Sequence, residues 1–251
     1  VKHPAIMHPS LFVLRMSDPV SDTSGVKNKF TGFHIRTGPM SEYDQARANF
    51  ADEVRAVIAE LLSTSASIDD IASAHKCVAS AVALLKQREH DDSFEGPGEA
   101  ALATIGSFLD RSPLIGAINP LAVPMRISTL RDDAGETIAV GTVCFGAGYE
   151  GPPGCVHGGF IAAAFDEVLG VAQSLSGNPG MTVNLAIDYR SPTPLDQPLE
   201  FRGRIKQVDG RKIYTIGTLR HGGTLCAEAS GLFISMRPEV FERLLKIRQG
   251  D

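Results

Sequence analysis

Residues 148–170 read GYEGPPGCVHGGFIAAAFDEVLG, and this stretch decides the fold. Its glycines and prolines make the first half a loop. The second half opens a helix over 158–175, about 27 Å long. Phe160, Ile161, Ala162, Ala163, Ala164, Phe165, Val168, Leu169 and Val171 leave that helix little polar face, so burial is expected all round. Upstream, Ile138, Val140, Thr142 and Cys144 alternate with Ala139, Gly141, Val143 and Phe145, the period of a strand. Downstream come four strand-like runs, 181–190, 199–208, 211–220 and 225–236, with a hairpin signal at Asp209-Gly210. Short turns make neighbouring strands antiparallel. The class is α+β, an antiparallel sheet wrapped around one long helix.

The chain outside this unit is read more coarsely. Residues 1–40 are mixed in composition and are expected to be irregular. Val54, Val57, Ile58, Leu61 and Leu62 recur at helical spacing. Ser67-Ile68-Asp69-Asp70 predicts a capped helix start, followed by a stripe of Ile68, Ile71, Ala72, Val78, Val82 and Leu85. His75 falls on that stripe and is expected to pack there rather than bind a metal. Residues 91–98 break the pattern, 100–109 suggest a short helix, and 238–248 a last one begun by Pro238. The organisation is a partly irregular, then helical, N-terminal extension over 1–112 and a second domain over 113–251.

Composition narrows the functional classes. The 251 residues are 43% apolar and 21% charged with net charge −5, and the mean hydropathy is +0.01. These are globular values, and the acidic balance argues against nucleic-acid binding. No run approaches the roughly 20 apolar residues of a membrane helix, and no signal peptide is recognised. Cys77, Cys144, Cys155 and Cys226 lack paired spacing, which suggests a reducing compartment; a cytoplasmic location is expected.

Several motifs compete for the chemistry. Gly146-x-Gly148-x-x-Gly151 matches a dinucleotide fingerprint, but Pro152-Pro153 keep any helix from starting inside it. Cys155 and His157 do not form a metal or nucleophile pattern. His157-Gly158-Gly159 opens the long helix, where the first amides lack partners and favour negative charge. A second copy, His221-Gly222-Gly223, lies between strands and reads as a turn. Asp166 and Glu167 interrupt the apolar helix, and burying an unpaired carboxylate is costly. Asp166 is therefore a candidate base or nucleophile, or a structural partner. Gly159 and Asp166 are about 10 Å apart along one helix. A reacting carbonyl cannot reach both, so two antiparallel copies of the helix sharing a site are expected.

Alternation in 181–189 places Thr182, Asn184 and Asp188 on one face of the next strand. The Thr182 hydroxyl or Asn184 amide could orient Asp166 or its water, or the three could form an ordinary half-exposed face. Arg202, Arg204 and Lys206 share a face of the following strand, with Arg211 and Lys212 after the hairpin. Residues 202–212 hold five basic residues and one acid, a local charge of +4. Such a patch could hold phosphates or be a solvated outer face; Arg190 is the alternative phosphate contact.

The 148–170 stretch, followed by MTVNLAIDYRSPTPL at 181–195, resembles the hotdog-fold acyl-CoA thioesterases of the PaaI-like branch, especially thioesterase-superfamily-member-4-like proteins. The resemblance covers about 113–237. It implies a helix wrapped in a curved sheet, edge-to-edge homodimers (pairs of dimers being compatible) and hydrolysis of acyl-CoA to a free acid and CoA. By position, Asp166 would activate water or attack directly, the Gly158 amide would polarise the thioester carbonyl beside Gly159, His157 would hold the loop and the carbonyl, and Thr182 would position the water. Some relatives carry Asn where this chain has Gly151, which shifts weight to backbone amides. No metal or cofactor is implied. A low-turnover acyl-CoA-binding or regulatory module is the alternative.

Overall fold

The computed structural model describes residues 39–87, 110–123, 125–178 and 180–235. The helices expected at 100–109 and 238–248, and the irregular reading of 1–38, lie outside the described residues. Two helices come first, α1 (Glu42–Ser63) and α2 (Ile68–Lys86). Ser67 caps α2 in a reciprocal pair with Asp70, as its sequence predicts. Then follow β1 (Arg126–Arg131), β2 (Thr137–Val143), α3 (Gly158–Ser174), β3 (Gly180–Tyr189), β4 (Leu199–Asp209), β5 (Lys212–His221) and β6 (Thr224–Ser235). The strands form one antiparallel sheet in the order β1-β2-β4-β5-β6-β3. The helix packs on its inner face against every strand from β2 to β6. This is the expected hotdog arrangement.

The turns obey their local chemistry. Gly210 and Gly222 both have φ +55°, so each tight hairpin places glycine where a side chain would be strained. The second His-Gly-Gly, at 221–223, is thereby a β5–β6 turn.

A row of glycines seats the helix. A Cβ on Gly203 or Gly217 would stand 3.1 Å from the Leu169 side chain, and one on Gly141 would stand 2.8 Å from Val168. Their bare backbones let the sheet curl closely around α3. Phe145, Phe165, Phe201, Phe233 and Leu199 fill the fully buried space beside this contact, with Phe165 edge-on to Phe201 at 5.0 Å.

Two expectations are corrected. The helix is not buried all round: Ile161, Ala164, Phe165, Val168, Leu169, Val171 and Ala172 are covered, but Phe160 is 37% exposed and Ala162 and Ala163 are only half-buried. One sheet covers one stripe, and the remaining face of α3 is left open. His75 is exposed rather than packed, and α2 buries none of its residues. The apolar stripe that the sequence marks there has no cover among the described residues.

Candidate active site

The loop before α3 is tied at several points. Gly151 N–H donates to Cys155 O at 2.9 Å, Val156 N–H to Thr193 O at 2.9 Å, and His157 N–H to Tyr149 O at 2.8 Å. The amides at 149, 150 and 151 of the glycine motif are spent internally. Tyr149 donates to Gly146 O and Glu150 to Ala147 O, so those amides are turned to the chain itself and not to a phosphate. Gly151 is sterically required, since a Cβ there would stand 2.7 Å from His157 Cα. Position 151 has no room for a side chain in this backbone.

His157 is the cap of α3. Its Nδ1 accepts the Gly159 N–H at 3.0 Å. The Phe160 and Ile161 amides go to His157 O at 2.9 and 3.4 Å. Among the described residues no acceptor takes the Gly158 N–H. The helix start thus presents one free amide, on Gly158, at the positive end of the helix dipole. Gly159, the expected companion, already spends its donor on His157.

The carboxylates diverge. Asp166 Oδ1 accepts the Thr182 hydroxyl at 2.8 Å, while Glu167 Oε1 accepts the buried Ser112 hydroxyl at 2.9 Å. A step of about 100° along the helix separates their directions. Burial pushes the Glu167 carboxyl above the usual range, the Ser112 hydrogen bond pulls it back in part, and the neighbouring Asp166 raises it further. Glu167 therefore faces inward and clasps the segment before β1, while Asp166 stays half-exposed and held from one side. Eight residues separate Gly158 from Asp166, about 12 Å at 1.5 Å per residue.

A bulge decides which β3 residues meet the helix. The β3–β6 register slips between Thr182 and Asn184. Thr182 pairs with Phe233, on the buried side, but Asn184 pairs with Leu232, on the other. Strict alternation, which put Thr182 and Asn184 on one face, is thereby corrected: Asn184 and Asp188 point away from Asp166. The same bulge brings Tyr189 to the helix side. Its hydroxyl donates to Gly158 O at 2.8 Å. The sequence contained this residue in its Asp188-Tyr189-Arg190 run, but alternation without the bulge hid its direction.

The basic residues are not gathered at this place. Arg202 and Arg204 lie on the outer face of β4, opposite buried Phe201 and Gly203. Arg202 pairs with Glu200 at 2.7 Å and Arg204 with Glu136 at 3.7 Å. The Arg202 guanidinium is held above its usual range, first by the Glu200 hydrogen bond and charge, then by Asp133 and Asp132. Arg211 donates to Ser235 O, and Arg190 bridges Asp188 and Glu228. Lys206 and Lys212 are exposed. The focused patch expected from 202–212 is corrected, because Glu200 on β4 itself and Asp132, Asp133 and Glu136 in the β1–β2 turn share its space, and the sheet separates β4's outer face from Asp166.

Comparison with known proteins now bears on this geometry. A family model described as Thioesterase superfamily matches residues 153–227, the stretch from the His-Gly-Gly loop to β6. A solved structure of a thioesterase superfamily protein, RHA08564, is 33% identical, with a TM-score of 0.66, over 79% of this chain and 97% of that one. The chain belongs to the thioesterase superfamily. Among curated superfamily members, acyl-coenzyme A thioesterase THEM4 of Xenopus laevis is 36% identical over 36% of this chain and 41% of its own. THEM4 of Bos taurus is 37% identical over 39% of this chain and 42% of its own. The chain spans about two fifths of the length of these two relatives. No described helix is long and apolar enough to cross a membrane.

Proposed function

We propose that this superfamily member is an acyl-CoA thioesterase whose site is completed by two copies of the chain. The observation that carries the reading is the pairing on one helix of a free Gly158 N–H at its start with a Thr182-held Asp166 in its middle. The acyl-CoA thioesterase activity named for the THEM4 relatives supports the substrate class. In the proposed reaction the Gly158 N–H receives the thioester carbonyl oxygen, and negative charge developing there is stabilised by the helix start. Asp166 takes a proton from a water whose oxygen attacks the carbonyl carbon. The C–S bond then breaks, and CoA leaves as a thiolate that takes up a proton. Thr182 spends its donor on one Asp166 oxygen and leaves the other for the water.

The separation of about 12 Å means one carbonyl cannot meet both groups of one helix. A second copy related by a two-fold axis supplies the missing partner. Strand β3 supports such an assembly. It is a ten-residue sheet edge with Met181 and Val183 exposed, and an uncovered edge with apolar side chains invites pairing.

The test is release of free thiol from an acyl-CoA series by purified protein and by Asp166→Asn. Turnover should fall by about 10²-fold or more in a variant with unchanged melting behaviour. Near-normal turnover in the folded variant contradicts the role of Asp166. Acyl-CoA binding without turnover by the wild type supports the regulatory-module reading instead.

A further inference from the structure

The N-terminal extension builds a cavity against the start of the candidate catalytic helix. Helix α1 lies over the 3₁₀ turn at Ala147–Tyr149, and a Cβ on Gly148 would be 3.8 Å from both Ile58 and Leu62. Arg55 fastens α1 to the segment before β1. It donates to Asn119 O at 2.8 Å and Ala117 O at 3.1 Å and pairs with Asp52 at 2.7 Å. Between α1, this segment and the turn lies a pocket of about 590 Å³, with Ile58, Leu114, Leu121, Val123, Tyr149 and Phe160 among its walls. That volume lies within the usual range for small-molecule sites.

The pocket adjoins the reacting position. Phe160 immediately follows the two helix-start glycines, and its ring meets Tyr149 edge-on at 4.9 Å. Tyr149 O in turn accepts the His157 N–H. One wall of the pocket is thus the first turn of the helix whose Gly158 N–H is free. Phe160, Ile58 and Leu121 are 37%, 42% and 69% exposed, so apolar surface is offered rather than hidden. Arg55, the one cation among the described lining residues, has its guanidinium committed to two carbonyls and a carboxylate. None of the described lining residues offers a free cation to a phosphate; the lining suits hydrocarbon.

We infer that this pocket receives the hydrocarbon chain of the acyl group, so that α1 is a chain-length selector for the thioester. The inference rests on the acyl-CoA reading and names the part of the substrate held there. Long chains gain apolar contact in the pocket that short ones cannot reach.

The experiment uses the full chain and two substitutions on the wall, Ala59→Phe and Leu121→Trp. Both positions are exposed and accept bulk without disturbing the core. The readout is the ratio of kcat/KM for dodecanoyl-CoA to that for butyryl-CoA. It should fall about tenfold in each variant. Binding of dodecyl-CoA, a thioether that cannot be hydrolysed, is measured alongside by calorimetry. If the wild type hydrolyses both substrates but the ratio stays unchanged, the pocket assignment is overturned and the thioesterase reading stands. An equal loss on both substrates also overturns it, because the wall would then act on the fold. If the wild type binds dodecyl-CoA without hydrolysing either ester, and the variants bind it about tenfold more weakly, the pocket stands and the hydrolase reading fails. Failure of the wild type to bind or hydrolyse a long chain overturns the inference, including the case in which another part of the chain fills the pocket.

Discussion

At the residue scale, the account turns on one backbone donor. Gly158 is the first residue of α3, where proline is tolerated because its nitrogen has no intrahelical partner. His157 before it is extended, with φ −62° and ψ 131°, as a residue preceding proline must be. Gly158→Pro therefore removes the N–H while leaving the helix able to form. It should lower kcat about 10²-fold. Gly158→Ala keeps the N–H and meets only the Tyr189 side chain, its hydroxyl at 3.1 Å and its ring carbons at 3.3 and 3.5 Å, so its loss should be much smaller. Equal activities of folded Pro and Ala variants would contradict the oxyanion role. His-Gly-Gly as a helix opener was legible in the sequence. The resemblance pointed to the Gly158 amide, but spacing alone does not choose between the two glycines, because that depends on the rotamer of His157.

Glu167 has a different consequence. Its carboxyl is raised above the ordinary glutamate value of about 4.3. Between the unfolded and the folded pKa the native state holds more protons, so its contribution to stability falls as pH rises. Below about pH 4 both states are protonated and the penalty is absent. Glu167→Gln keeps an acceptor for Ser112 and cannot ionise. Its Tm should match the wild type near pH 4, exceed it increasingly as pH rises from the unfolded to the raised folded pKa, and keep a constant margin above that. Parallel melting curves across that range would show the raised pKa to be energetically silent.

At the scale of elements, the fold was readable and two of its refinements were not. The long helix and the strands from β2 to β6 follow from periodicity and turn residues, with ends within about two residues, whereas β1 does not announce its bounds in the sequence. The bulge after Thr182 leaves no mark in a run as regular as MTVNLAID, and it alone reverses Asn184 and Tyr189. Charge counting along 202–212 failed for a related reason: Glu200 lies just outside the window, and Glu136 and Asp132 precede it by more than 60 residues. The glycine row is the element-scale feature with the clearest energetic test. A Cβ at Gly217 would be 2.8 Å from the Arg202 carbonyl oxygen and 3.1 Å from Leu169, whereas none meets anything within 4 Å at Gly223. Gly217→Ala should cost roughly 1–3 kcal/mol in denaturant unfolding, and Gly223→Ala should be close to neutral. Similar costs at both positions would mean that helix seating does not depend on the glycines.

At the scale of the whole molecule, the described residues of one copy leave the far side of α3, the β3 edge and the apolar stripe of α2 without cover. The first two lie together at Asp166 and Thr182, which is where a second copy has to come if one carbonyl is to meet Gly158 and Asp166. The sequence implied this from helix length alone, since a rise of 1.5 Å per residue sets the gap. The most direct measurement mixes two crippled proteins, Asp166→Asn and Gly158→Pro, under conditions that exchange subunits, and follows thiol release from an acyl-CoA that the wild type hydrolyses. In a shared site each mixed dimer carries one doubly damaged centre and one intact centre. With random exchange, activity should recover to about a quarter of the wild-type value. Mixed dimers, demonstrated by mass, that remain as inactive as either parent would contradict a site built from both copies.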